Sequence, residues 1–287
     1  MCLAQSGSYS PQAGMEGSTA IAKDSKIFRD WARMCTVERG FRQINQPDSG
    51  LASTGNANYA IGKPDAPVTV SLGDGGSAVV MFAKSMYDGE GADFAVFENG
   101  FTDAGGAFLE LAFVEASSDG VNFFRFPAVS ENQDTMQTLP FGNLDASHFY
   151  NLAGKYIAGY GVPFDLSELP DTNLLNKMAV SHIRIVDVVG IIDTALCSYD
   201  SKGNIINDPW PTNFAQSGFD LDAVGVIHSN IPLSTHELKP KTVSNFSIDR
   251  CFDMNGATIP CDRRPAGLSF EVDSQNNSIR KRLTIEF

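Results

Sequence analysis

Positive charge is scarce in this chain. Its 21 Lys and Arg face 34 Asp and Glu, for a formal net charge of −13. Nucleic-acid surfaces need clustered Lys and Arg, so that class of partner is excluded. An acidic surface suits solubility or the binding of cations. Long apolar runs are missing too, and a membrane-spanning helix needs about 18 such residues. No CxxC…CxxC spacing is present, which removes the common zinc frameworks. His148, His182, His228 and His236 are scattered and form no HExxH pair. Neither a GxSxG elbow nor a Walker-type phosphate loop occurs. Glu110 and Glu115 are oddly spaced along one strand and face opposite ways, a poor arrangement for a glycosidase pair. No catalytic residue is expected, although a distant Ser or Cys nucleophile with a His stays open.

Helical periodicity is nearly absent. The one helix expected in the first half covers Lys26–Met34, capped by Ser25, with Ile27, Trp31 and Met34 on one face. What fills the chain instead is β pattern. Phe94–Phe97, Phe108–Ala116 and Val121–Phe126 are short apolar runs separated by Gly-rich or Asp-Gly stretches. Ser118-Asp119-Gly120-Val121 reads as a tight hairpin, because Asp-Gly supplies the positive φ angles such turns require. Val68–Leu72 alternates like a half-buried strand, and His182–Val189 and Phe219–Ile227 are later strands. Lys202-Gly203-Asn204 marks another hairpin, whereas 127–180 reads as long and irregular. The 20 Phe suit strands packed between two sheets.

Charge marks a boundary near Ile231-Pro232. From Ser234 onward 8 Lys and Arg stand against 7 Asp and Glu, while the preceding residues hold 13 against 27. The expected organisation is a β-sandwich over 1–233 with an extended lead-in, then a small β appendage over 234–287. The 5 Cys are odd in number. Cys251 and Cys261 flank an Asn-Gly turn and could close a hairpin disulfide, with Cys35–Cys197 a second pairing; buried free thiols are the alternative. Cys2-Leu3-Ala4 looks like the end of a cleaved leader, which implies a secreted chain.

Ser117-Ser-Asp-Gly-Val-Asn-Phe, His182-Ile-Arg-Ile-Val-Asp187 and Asp220-Leu-Asp-Ala-Val224 resemble the hairpin and strands of galactose-binding-like, discoidin-type jelly rolls. Over roughly 8–230, Asp93-Phe-Ala-Val-Phe-Glu-Asn99, Asn151-Leu-Ala-Gly-Lys155, Asp208-Pro-Trp-Pro-Thr212 and Gly218–Val226 resemble a family of Bacteroidetes-type cell-surface proteins. Phe246-Ser-Ile-Asp249, Asn255-Gly256 and Arg280-Lys-Arg282 look like a type IX secretion sorting domain, departing from it at Glu286-Phe287. The resemblance implies an all-β jelly-roll sandwich at the outer-membrane surface or outside the cell. It implies little about activity.

Two groups of residues could carry binding. Asp220 and Asp222 are two apart on one strand and point to one face, shared with Val224 and Val226. Like charges there need a counter-ion, and an oxygen-only set suits calcium, with Glu98, Asn99, Asp93 and Asp187 as further ligands. The alternative is pairing with Arg184 or Arg125, or a place at the sheet rim. The second group is aromatic. Trp210, Phe214, Tyr156 and Tyr160 lie in loops, and Asn151, Asp208 and Asn213 could hydrogen-bond a sugar stacked on them. Trp210 as a plug for one end of the sandwich is the alternative.

The expected function is non-catalytic binding of a carbohydrate or other small extracellular ligand, through calcium-held loops at one end of the sandwich. Rival readings are adhesion to another surface protein, outer-membrane nutrient capture (of a corrinoid, for example), and a hydrolase.

Overall fold

The computed structural model describes residues 7–64, 69–103 and 106–230, together with the backbone of four strands between 250 and 284. The chain divides into two compact units, Met1–Ile231 and Pro232–Phe287.

The first unit is all-β, with only short 3₁₀ turns besides its strands among the described residues. It begins with β1 (Ile21–Ala22), β2 (Asp30–Trp31), β3 (Met34–Glu38), β4 (Val70–Ser71), β5 (Ser77–Met86) and β6 (Phe94–Glu98). A small hairpin follows, β7 (Phe101–Asp103) and β8 (Gly106–Phe108), then β9 (Ala112–Ser117) and β10 (Phe124–Arg125). The rest are β11 (Val129–Ser130), β12 (Phe149–Tyr150), β13 (Tyr160–Phe164), β14 (Val180–Asp187) and β15 (Asp220–Val226).

One sheet runs β1-β13-β6-β15-β2, with β4 also on β15, and the other runs β10-β9-β14-β5-β3. All pairings are antiparallel, and the two sheets face each other as a jelly-roll-type sandwich. The core explains why. Ile183 and Ile185 of β14 pair with Ala116 and Val114 on one side and with Val80 and Ala78 on the other. All six side chains join Phe94 and Val96 of the facing sheet in one buried cluster. Burying a side chain of Val or Ile size contributes about 1.5–3 kcal/mol, so this stripe is what holds the sheets together.

Alternation along β6 places the site. Phe94 and Val96 face the core, while Ala95 and Phe97 face out under Phe28 and Trp31. Glu98 takes the next inward position and pairs with core residue Leu221. A carboxyl therefore ends an otherwise apolar stripe.

Three expectations are corrected. Residues 26–34 form no helix: Trp31 pairs with Gly225, and a side chain at Gly225 would strike the Phe28 and Trp31 rings at 2.7–2.8 Å. Docking of two aromatic rings on a glycine overrides the one-face spacing, and Ile27 and Met34 are exposed. Cys35 and Cys197 are free thiols, not a disulfide. Asp220 and Asp222 do not alternate regularly, because the β6–β15 register shifts between Leu221 and Ala223. Leu221 and Val224 consequently both face the core, three residues apart, with Ala223 on the outer side.

The Asp119-Gly120 hairpin forms, but its loop covers 118–123, held by Asp119 Oδ1 accepting from the Val121 and Asn122 backbone. The Lys202-Gly203 turn is present under a Tyr199–Ile205 bridge. Residues 127–180 hold β11, β12 and β13.

In the second unit, β16 (Arg250–Phe252), β17 (Thr258–Ile259), β18 (Gly267–Asp273) and β19 (Ser278–Thr284) form an antiparallel sheet ordered β17-β16-β18-β19. Cys2 and Cys261, the Asn255-Gly256 turn and the chain end lie outside the described residues, as do the side chains of this sheet. Among the described residues no helix is long and apolar enough to cross a membrane.

Candidate functional site

At the end of the sandwich where β6 finishes and β15 begins, the surface opens into a cleft of about 420 Å³. Glu110 and Asp220 line its floor with Asn99, and Phe101, Phe108, Phe141 and Phe214 line its walls. The rings form a continuous run: Phe101 stacks on Phe108 at 5.1 Å, Phe108 meets Phe141 at 5.7 Å, and Phe141 meets Phe214 at 5.9 Å. Phe101 and Phe108 are directly paired across the β7–β8 hairpin, which fixes their spacing.

Three of these rings are open to solvent, with Phe101 and Phe214 each 47% and Phe141 60% exposed. Exposed Phe costs solvation, and Phe141 costs more, because its φ of 60° is in the left-handed region. For an L-residue that conformation is unfavourable by about 1–2 kcal/mol. Strain and exposed apolar area in one residue are features that packing alone does not select.

The floor is acidic and deep. Asp220 Oδ1 accepts from Ser71 Oγ, and Asp220 Oδ2 accepts from Asn99 Nδ2 at 2.9 Å. Glu98 lies 1% exposed; its Oε2 accepts from Gly100 N at 2.6 Å. Its Oε1 is buried with no hydrogen-bond partner among the described residues. Burial, then the charge of Asp220, holds the Glu98 carboxyl well above the usual range. Glu110 is raised in the same way, by burial and then by Asp220, Glu98, Asp208 and Asp187. Burial also raises Asp220, against the lowering effect of its Ser71 and Asn99 hydrogen bonds. Arg39, whose charge reaches Asp220, directs its N–H groups to the Thr54, Ser71 and Gly55 carbonyl oxygens.

Behind the floor, further carboxyls tie loops together. Asp187 accepts from Phe219 N (2.7 Å) and Gly75 N (2.9 Å), and Asp208 accepts from Leu111 N at 2.7 Å. Asp74 accepts from Ile44 N at 2.8 Å and from the Trp210 indole N–H at 3.0 Å. Trp210 is buried against Val189 and Ile191, so it plugs this end of the sandwich rather than presenting a face.

The residues singled out in the sequence therefore divide. Asn99, Asp220 and Phe214 line the cleft, with Glu98 buried behind it and Asp187 and Asp208 as loop ties. Asp222 is the extra residue at the register shift. Asp93 lies at the far end of β6, where its oxygens accept from Gly89 N, His228 Nδ1 and Leu166 N. With Asp88 and Asp165 it forms a close group of carboxylates. Arg184 and Arg125 both bind Glu115 rather than the cluster.

Asn151 and Tyr156 line a second cleft of about 560 Å³, under a Tyr9–Tyr150 stack at 5.2 Å. Tyr156 is buried, its hydroxyl bonded to Ser10 and Thr19, and Tyr160 is half-buried in β13. Lys155 Nζ donates to the Phe149 and Ser10 carbonyls, and burial brings its pKa down to about 8.

Glu110, Phe101, Phe108 and Phe141 escaped the sequence reading as binding residues. A carboxylate inside the apolar run Phe108-Leu-Glu-Leu-Ala112, and a Phe in the turn-forming Leu139-Pro-Phe-Gly142, are the signals that point to them. The chain matches no known family model and no curated protein.

Proposed function

We propose that this protein is a secreted or surface-exposed binding protein that takes a small extracellular ligand, of sugar size, in the Phe-walled cleft without transforming it. The observation that carries this reading is the continuous run of four phenylalanine rings above the Glu110–Asp220 floor. Flat apolar walls stack on a ring-shaped body, and a few convergent polar groups orient it, the usual composition of a small-molecule site. The volume falls within the range of about 300–1,000 Å³ typical of such sites. Location outside the cell rests on the resemblance of the four sequence strings to cell-surface proteins, and is a fold-level analogy.

A hydrolytic reading has one observation in its favour, the convergence of carboxyls in a cleft. Acid–base work, however, needs environments that push two carboxyls apart, one protonated and one ionised. Here Asp220, the carboxyl best placed to be the ionised partner, already has both oxygens engaged by Ser71 and Asn99. Binding is the better use of this geometry.

Glycan-array and small-metabolite screening of wild type beside a Phe141→Ala/Phe214→Ala variant tests the reading. Hits that the double variant loses while it still unfolds cooperatively support it. Hits retained in full by that variant place binding elsewhere, and turnover of a bound glycoside would establish the hydrolase.

A further inference from the structure

The cleft holds carboxyls whose ionised form is disfavoured by burial and by one another, and a cation bound beside them would favour that form. Glu110 and Asp220 line the cleft, and no Lys, Arg or His stands among the residues around it. Glu98 adds a third carboxyl acting on Glu110, with an oxygen that is buried and without a hydrogen-bond partner among the described residues. An unsatisfied buried oxygen costs about 1–3 kcal/mol, and more when ionised, so Glu98 adds to the unfavourable acidity behind the floor. The Arg39 guanidinium is committed to three carbonyl oxygens.

Two kinds of cation suit an acidic, oxygen-only floor, and spacing separates them. A bare divalent ion draws six to eight oxygens to 2.3–2.6 Å, so its ligands crowd together. Among the described residues the acidic group that meets a 4.8 Å mutual spacing is Asp88, Asp93 and Asp165, not the floor of the cleft. The floor is therefore more open than a bare ion needs. The walls decide in the same direction, since a bare calcium ion gains nothing from Phe rings. An ammonium on a carbon frame uses both halves: aromatic faces attract a cation within about 6 Å, and carboxylates accept its N–H groups. Phe suits this role because it offers a π face without a competing polar group.

We propose that the cleft takes a small primary organic ammonium, such as a free amino sugar. Its N–H groups sit on Glu110 and Asp220, with Glu98 behind them, and its carbon body lies against Phe101, Phe108, Phe141 and Phe214. This deepens the binding role given above and rests on it.

Calorimetric titration with glucosamine, N-acetylglucosamine and glucose is the test, since the three share one ring and differ in charge at one position. Cyclohexylamine and calcium chloride complete the set. Glucosamine is expected to bind at least about tenfold more tightly than either neutral sugar, the equivalent of one charge-assisted contact. Glu110→Gln is expected to abolish that preference while unfolding as cooperatively as wild type. Equal or tighter binding of the neutral sugars, lost in Phe214→Ala, would overturn the ammonium and leave the cleft as a sugar site. Silence from both amines would overturn it outright. Calcium binding that Asp220→Asn removes, with no amine bound, would assign the floor to a metal instead.

Discussion

Among neighbouring charges, Asp220 acts most strongly on Glu98, which it approaches across the β6–β15 ladder. Both carboxyls are shifted upward chiefly by burial. A group whose folded pKa exceeds its unfolded value of about 4.3 stabilises the fold fully below that value. That contribution is lost as pH rises through the raised folded value. Glu98→Gln keeps an acceptor for Gly100 N and removes the ionisation, so it is expected to stabilise at pH 8 by about 1–3 kcal/mol. The difference from wild type should shrink towards pH 4. Denaturant unfolding at both pH values checks this, and a variant less stable than wild type at pH 8 would refute it.

Trp210→Phe preserves most of the plug and deletes the N–H that serves Asp74. With only Ile44 N left as a donor to that oxygen, the loss should be about 1–3 kcal/mol. Urea midpoints give the number. A midpoint unchanged from wild type would show that the indole N–H contributes nothing.

Gly154 and Gly159 share a φ of 83°, yet only Gly154 is crowded. A Cβ at Gly154 would collide with the Glu110 carbonyl oxygen, whereas one at Gly159 meets nothing within 4 Å. Gly159→Ala should cost about 1–2 kcal/mol from its backbone conformation. Gly154→Ala should cost more and should also weaken ligand binding, by displacing the segment that carries Glu110. Thermal unfolding of the pair, with titration of whatever ligand the cleft accepts, separates collision from backbone strain. Equal losses in both variants would mean that Glu110 tolerates the shift.

Burial pushes the Cys35 thiol up to about 11, so little thiolate is present at neutral pH. Iodoacetamide should modify Cys35 slowly in the native protein at pH 8 and readily after denaturation without a reductant. Peptide mapping should find no Cys35–Cys197 link. A linked peptide, or fast native alkylation of Cys35, would contradict this.

Much of the sandwich is legible in the residue pattern, because apolar residues repeat at period two on the inward faces of β6 (Phe94, Val96), β9 (Ala112, Val114, Ala116) and β14 (Ile183, Ile185). Errors arose where a local rule met a tertiary one. Residues 26–34 carry helical spacing, but the glycine at position 225 offers two aromatic rings a dock on the sheet. Asp220 and Asp222 obey strand alternation on paper, and a register shift breaks it. Around the cleft, Glu98 and Asn99 are legible because they end a strand-like run, Asp220 because a carboxylate stands in an apolar strand, and Phe214 because it is an aromatic in a loop. The other rings are not, since which loops meet depends on sheet order. Trp210 and Tyr156 read as loop aromatics, yet both rings are buried and their N–H and hydroxyl groups bond residues distant in sequence, which a linear chain does not reveal.

The register shift at Leu221–Ala223 also bears on how the chain tolerates change in length. Before it, Leu221 faces the core; after it, Val224 and Val226 do. Removing Asp222 would restore simple alternation across the whole strand. Leu221 would then stand two positions before Val224 and keep its inward place, so this is the one-residue shortening that the strand's core face accommodates. A deletion at Gly225, by contrast, would put Val224 and Val226 on opposite faces, so the same strand that can lose a residue at its bulge cannot lose one beyond it.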